Sequence, residues 1–304
     1  MRPPKRQQSS KIDTNRKSDP AWEPTERQRK ILENIHTYGF LTDPLLMRIE
    51  NIGQTRVRQL MAPLFHNQFV YRPNPKVRAA YDFMFYWLAP KGAEIVAGRL
   101  NMNLEDLDWL KSPRWGQIEH DALVSEFQLI LRQACDHSAG EFTFLDWVTE
   151  TTFRRWKDIV EYSDLAGKKA TKRMEIDGYA RIRRNLTNGD QHFSRLMPEI
   201  ELSPKYNARF VEDKILPGLA YLQSPIYQKR FGSKSGRWLY LVTSRDKLDG
   251  YRHAASQVLR SEDRGNFYFA VMERVTQKSV FFEPIWWRPG DRQPLSLYIP
   301  SGNT

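Results

Sequence analysis

Asp177, Glu199, Glu201 and Lys214 are the residues of this 304-residue chain whose types and spacing suit them for chemistry. Asp177 lies in one strand-like run, MEIDGYARIRR, and the two glutamates lie in the next, HFSRLMPEIEL. Side chains alternate along a strand, so Glu199 and Glu201 point to the same face. In the first run that alternation groups Asp177 with Glu175, Tyr179, Arg181 and Arg183, and sets Met174, Ile176, Ala180 and Ile182 opposite. Carboxylates on the polar faces of neighbouring strands can hold a hard cation through oxygen. Lys214, on the helix predicted over Ala208–Gln223, would add positive charge at a phosphate. The chemistry this suits is metal-assisted phosphodiester hydrolysis. The competing reading is a solvated strand face, with Glu199 and Glu201 paired to Arg181 and Arg183 for little energy.

These residues need a scaffold, and the surrounding pattern supplies one. An apolar helix over Ile118–Ala134 is followed by a strand-like run, Phe142–Glu150. A polar, basic insert, Thr152–Lys172, reads as irregular. The two carboxylate runs come next, then the helix carrying Lys214. A β-run at Arg237–Thr243, a helix at Asp246–Leu259 and a β-run at Phe267–Met272 complete the order α-β-β-β-α-β-α-β. That order predicts a mixed sheet flanked by helices over residues 117–275. Pro198 is awkward in the third run, because it removes a ladder donor. The aromatic, Pro-rich extension 276–304, with Trp286 and Trp287, is expected to pack back on this core.

The front of the chain reads differently. Residues 1–22 are basic and nearly free of apolar side chains, which predicts a disordered arm. Thr25-x-x-Gln28 has the spacing of a capping box, and Ile31, Leu32 and Ile35 follow at helical spacing. A short helix starts at Thr42-Asp43-Pro44, Gly53 makes a turn, and a third helix runs over Gln54–Asn67. Phe69–Arg72 and Phe83–Leu88 read as two strands joined by a basic loop, and Ala89–Gly98 as a closing helix. Three helices and a β-wing over residues 23–100 make a winged helix-turn-helix. Its third helix turns Gln54, Thr55, Arg56, Arg58 and Gln59 outward, side chains able to contact phosphates or base edges. Arg72, Lys76 and Arg78 would line the wing. Residues 101–116, acidic and then Pro/Trp/Gly-rich, read as a linker.

Composition narrows the function classes. A net charge of +11 calls for an anionic partner, nucleic acid before membrane. Cys135 is the only cysteine, so no disulfide forms within the chain, and one cysteine with six scattered histidines excludes a zinc finger. No long apolar run suits a bilayer crossing, and the polar N-terminus is not a secretory signal. A cytoplasmic location is expected. Tyr179, Tyr206 and Tyr221 are scattered without a histidine cluster, which speaks against a covalent tyrosine relaxase.

The segments TERQRKILENIHTYGFLTDPLLMRI, WLAPKGAEIV, IEHDALVSEFQLIL, EIDGYARI, LMPEIEL, FVEDKILPGLAYLQ and RWLYLVTS, in that order, resemble the replication-relaxation family of mobile-element proteins. The resemblance covers roughly Thr25 to Met272. It implies an α/β chain, α+β overall, with a winged helix followed by a restriction-endonuclease-like domain of the PD-(D/E)xK type. Carried over by position, it makes Glu126 the helix acid, Asp177 the strand acid and Glu199 the third-strand acid around Mg²⁺ or Mn²⁺. Glu201 stands where that pattern has its lysine, so Lys214 would serve from the following helix. The partners implied are double-stranded DNA and replication or mobilisation proteins, with no membrane. A second class is a transcription or replicon regulator whose silent nuclease fold serves homodimerisation or partner contact. A third is an endonuclease of a transposition or defence system.

Overall fold

A computed structural model describes residues 11–202 and 206–299, and the chain divides into two compact units, 1–126 and 127–304. The fold is mixed α/β.

In the first unit, α1 (Glu26–Tyr38) starts in a complete capping box: Thr25 accepts from the Gln28 amide and Gln28 reaches back to the Thr25 amide. β1 (Leu41–Thr42) leads into α2 (Asp43–Glu50), which Thr42 caps, and Asn51 ends α2 in the left-handed region. α3 (Gln54–His66) turns Val57, Leu60, Met61, Leu64 and Phe65 inward. β2 (Val70–Tyr71), a single-turn helix α4 (Pro75–Arg78) and β3 (Phe85–Leu88) follow, and α5 (Pro90–Arg99) closes the sequence. The three strands form one antiparallel sheet in the order β1-β3-β2. The expected basic loop between the last two strands is thus partly helical, because Asn74 caps Pro75 at the first helical position.

Two expectations for this unit change. From Lys11 onward the arm predicted to be disordered lies on the unit; the Asn74 amide donates to Lys11 O at 2.8 Å. Asp13, buried, pairs with Arg72 at 2.9 Å, and Asp19 N donates to Asn67 at 2.7 Å. The rest of that arm, residues 1–10, lies outside the described residues. The predicted linker is also packed: Leu110 and Trp115 sit against Phe85 and Trp87, with the Trp87 and Trp115 rings 5.6 Å apart edge to face. The unit boundary therefore falls inside α6 (Ile118–Asp136) instead of at 101–116.

The second unit holds a five-stranded sheet in the order β10-β9-β8-β7-β4. β4 (Phe142–Thr149), β7 (Gly178–Asn185) and β8 (Gln191–Glu201) are antiparallel neighbours; β9 (Arg237–Val242) and β10 (Phe267–Val271) continue in parallel. α7 (Glu150–Trp156) follows β4. The insert expected to be irregular is a two-stranded ribbon, β5 (Ile159–Ser163) with β6 (Lys169–Arg173). Between β8 and β9 run α8 (Asn207–Phe210), a π-helical turn (Val211–Ile215), α9 (Leu216–Gln223) and α10 (Pro225–Phe231). α11 (Arg245–Val258) joins β9 to β10. The extension beyond β10 returns to it, with paired backbone bonds between Phe269 and Trp287 at 2.8 and 2.9 Å. Among the described residues no helix is long and apolar enough to cross a membrane.

Pro198 lies inside the central strand without breaking it. The Ile200 amide donates at 2.8 Å to Asp177, just ahead of β7, and amides two apart on a strand point the same way. The donor missing at Pro198 therefore faced β7, whose ladder with β8 ends at Ala180↔Leu196. On the other side, pairing with β9 is continuous from Leu196 to Glu201.

One contact fixes how α5 meets the end of β2. A Cβ on Gly92 would stand 2.1 Å from the carbonyl oxygen of Phe69, a backbone atom that cannot swing away. Gly92→Ala should destabilise the protein by about 1–3 kcal/mol, the usual cost of overpacking. A urea titration reads this directly; an unchanged midpoint would mean the two segments are free to part.

Candidate functional site

The helix α3 presents what the sequence anticipated. Gln54, Thr55, Arg56, Arg58 and Gln59 are all exposed, and Arg56 holds Gln59 at 3.0 Å. Gly53 caps this helix without a side chain, and no acid stands in its first turn. The wing residues divide. Lys76 is exposed on α4, and Arg78 donates to the carbonyl of Tyr81. Arg72 does not line a wing: its guanidinium is paired with Asp13 and lies 3.8 Å from the centre of the Phe65 ring. The returning N-terminal segment, unreadable from local pattern, claims it. Asp43 was read only as part of a helix start, yet it is buried. Burial raises its pKa, against the pull of Arg58, a hydrogen bond with Tyr86 and the charge of Arg78. Its carboxylate thus sits behind the arginines of the exposed face.

In the second unit Asp177, Glu199 and Lys214 are brought together, but not on a wet surface. Met197, Glu199 and Glu201 share one face of β8 by alternation, and this is the face of the aromatic core containing Trp238, Tyr240 and Phe210. Glu199 is 4 % exposed and Glu201 6 %. The solvated-face reading fails accordingly, and Arg181 pairs instead with Asp146 at 2.7 Å. Asp177 precedes β7 instead of lying within a strand. The strict alternation expected from Met174 onward is lost there, and Met174, Ile176 and Tyr179 join the same core. The Met174 amide is held by Asp158 O at 2.8 Å, and a Cβ on Gly178 would meet the Trp147 ring at 2.1 Å. These contacts bend the chain into β7.

Lys214 comes from the π-helical turn. Leu216 N reaches back five residues to Val211 O. Pro217 follows and can donate to no carbonyl of the preceding turn, a defect that the widened turn accommodates. The ammonium of Lys214 bonds Glu199 Oε2, and Lys214 O accepts from the Tyr240 hydroxyl at 3.2 Å. Burial pushes the Glu199 carboxyl up to about 7; Lys214 opposes this, and the charges of Asp177 and Glu201 add to it. Burial works to lower the Lys214 ammonium, but Glu199, Asp177 and Glu201 outweigh it and hold its pKa above the ordinary value.

Glu126 does not join this cluster. It belongs to the first unit, where it pairs with Arg48 at 2.8 Å. The family resemblance matched it by position to the helix acid, on what is here α6, but only packing decides which unit that part of the helix serves. Among the described residues no group of three or more His, Cys, Asp and Glu side chains is placed to hold a metal ion as it stands.

A further buried network escaped the sequence reading. Asp158, at the foot of the β5–β6 ribbon, accepts from Tyr221 at 2.9 Å and from Arg230 Nε at 2.7 Å. Arg230 in turn lies 4.0 Å from the centre of the Trp156 ring. Asp158 and Arg230 are 72 positions apart, so no local motif announces them. The network ties the ribbon to the helices behind Lys214.

Comparison of the chain with models of protein families, with curated proteins and with solved structures gives no match.

The raised Glu199 pKa has a stability consequence. The folded protein holds this proton more tightly than the unfolded chain, so the contribution is complete below about 4.5 and is lost as pH rises toward about 7. Lys214, with its pKa raised, stays charged across that window. Relative to Glu199→Gln, the wild type should therefore lose unfolding free energy between those two pH values. Parallel stability curves for the two proteins would show that Glu199 titrates as an ordinary carboxylate.

Proposed function

We propose that the chain is a duplex-DNA-binding protein that acts in replication initiation or relaxation of a plasmid or other mobile element. In this reading the first unit is a winged helix with α3 as its recognition helix, and the second is a restriction-endonuclease-like domain. The observation that carries the reading is the outer face of α3, where Gln54, Thr55, Arg56, Arg58 and Gln59 stand exposed with no acid among them. Such side chains match the donor and acceptor edges of bases and the oxygens of phosphates. The chain's charge of +11 supports the same partner.

The buried acids are the proposed hydrolytic centre. Asp177, Glu199 and Glu201 all act on Lys214, and the charges of Asp177 and Glu201 add to burial in raising the Glu199 pKa. Carboxylate oxygens grouped in this way suit Mg²⁺ or Mn²⁺. Bound there, the ion would supply activation of water and offset charge on the phosphate. Lys214 would neutralise a phosphate oxygen, and the Ile200 amide fixes the direction of the Asp177 carboxylate. A second reading is favoured by one contact: Lys214 already occupies Glu199, as a structural substitute for a cation. The protein would then be a replicon or transcription regulator on a silent scaffold.

Arg56→Ala and Arg58→Ala should each weaken duplex binding by about 1–3 kcal/mol if they read bases. Full affinity in both variants would remove α3 from the interface. Supercoiled plasmid incubated with Mg²⁺ or Mn²⁺ should be converted to open circle by the wild type and left intact by Asp177→Ala. Intact plasmid with both proteins, under conditions where each binds it, would establish the silent scaffold.

A further inference from the structure

The β5–β6 ribbon carries a second basic surface that neither α3 nor the acid cluster uses. Its register runs from Ile159↔Arg173 to Ser163↔Lys169, so alternation divides it into two faces. Val160 is buried on the inner face, with Tyr162, Ala170 and Lys172 half-buried beside it. Lys172 pairs at 3.5 Å with Asp213, the residue before Lys214. On the outer face Ile159, Glu161, Ser163, Lys169, Thr171 and Arg173 are all exposed.

The ribbon is built to hold its shape. Asp158 anchors its foot, and at its tip Asp164 accepts from the amides of Ala166 at 2.9 Å and Lys168 at 2.8 Å. The tip carries Leu165, 46 % exposed, next to Lys168 and Lys169, and Ile159 near the foot is 54 % exposed beside Lys157. Lys157, Lys168 and Lys169 make no ion pair among the described residues. Arg154, Lys172 and Arg173 are occupied by neighbouring acids. Free cations therefore stand at both ends of the ribbon, with an apolar side chain beside each set.

We propose that this ribbon is a second contact to duplex DNA, with Lys157 at its foot and Lys168 and Lys169 at its tip binding phosphates on opposite sides of a groove. The inference rests on the DNA-binding reading above. Strands of five residues span about 16 Å, enough to cross a major groove about 12 Å wide from one backbone to the other. A two-stranded ribbon is thin enough to enter that groove. Leu165, at the tip beside Lys168 and Lys169, then meets a sugar or a thymine methyl next to the phosphate those lysines bind. The Lys172–Asp213 pair, on the inner face, holds the ribbon itself against the segment that bears Lys214.

The test uses the full chain and a mixed-sequence duplex, with affinity measured across a salt series. Each phosphate contact contributes about 0.9 to the slope of log affinity against log salt. The double variant Lys168→Gln/Lys169→Gln should lower that slope by about 2, with an unchanged melting temperature. A slope equal to that of the wild type overturns the ribbon contact. If Arg56→Ala/Arg58→Ala still weakens binding in the same series, the DNA reading itself survives. A wild type that binds no duplex overturns both, and loss of phosphatidylserine-vesicle binding in the lysine variant with an unchanged duplex slope overturns the ribbon contact alone.

Discussion

Glu199 lies out of water inside an aromatic core, and much of the second unit is arranged around that fact. An isolated carboxylate there would carry a desolvation cost of several kcal/mol, which only a close counter-charge and hydrogen bonds offset. Lys214 supplies both. To deliver it, the helix after β8 widens into a π turn at Val211–Ile215, and Tyr240 anchors the turn through Lys214 O. Phe210, one residue earlier, stacks flat on Tyr251 at 4.0 Å and fixes the turn against α11. The buried pair thus dictates the irregularity of the helix, and the aromatic packing holds that irregularity in place.

The same constraint explains the central strand. Placing Met197, Glu199 and Glu201 on one buried face requires β8 to stay extended through Pro198. It does so because the missing donor faces β7, where the strand pairing has already ended, while the bonds to β9 run on. Asp177 then takes up the next free amide, Ile200 N. A proline that looks like a defect in a strand thus stands where no ladder donor is needed.

What the sequence made legible follows from how local each signal is. The capping box at Thr25, the inward set of α3 and the five strands of the second unit's main sheet rest on signals within a few residues, and they appear as read, whereas the β5–β6 ribbon between them was missed. The grouping of Asp177, Glu199 and Lys214 was legible too, since adjacent strands and the next helix must neighbour one another. Their burial was not. A Glu-x-Glu strand alternates identically whether its charged face meets water or a core, and only Trp238, Tyr240 and Phe210 decide. Arg72 and Glu126 were misplaced for the same reason. Their partners, Asp13 and Arg48, are 59 and 78 positions away, beyond any window in which charge spacing has meaning.

The charge balance at the buried centre limits what can happen there. Lys214 lies among three acids, Asp177, Glu199 and Glu201; burial first, and then the charges of Asp177 and Glu201, raise the Glu199 pKa. A phosphodiester entering this centre would bring another negative charge and draw Lys214 away from Glu199. Glu199 would then lose its counter-charge in a medium where charges interact far more strongly than in water. A phosphate would therefore enter only with a divalent cation beside it, or with Glu199 protonated. With neither, the centre keeps its Lys214–Glu199 pair and admits no anion. The Lys214–Glu199 pair is the element on which that choice turns.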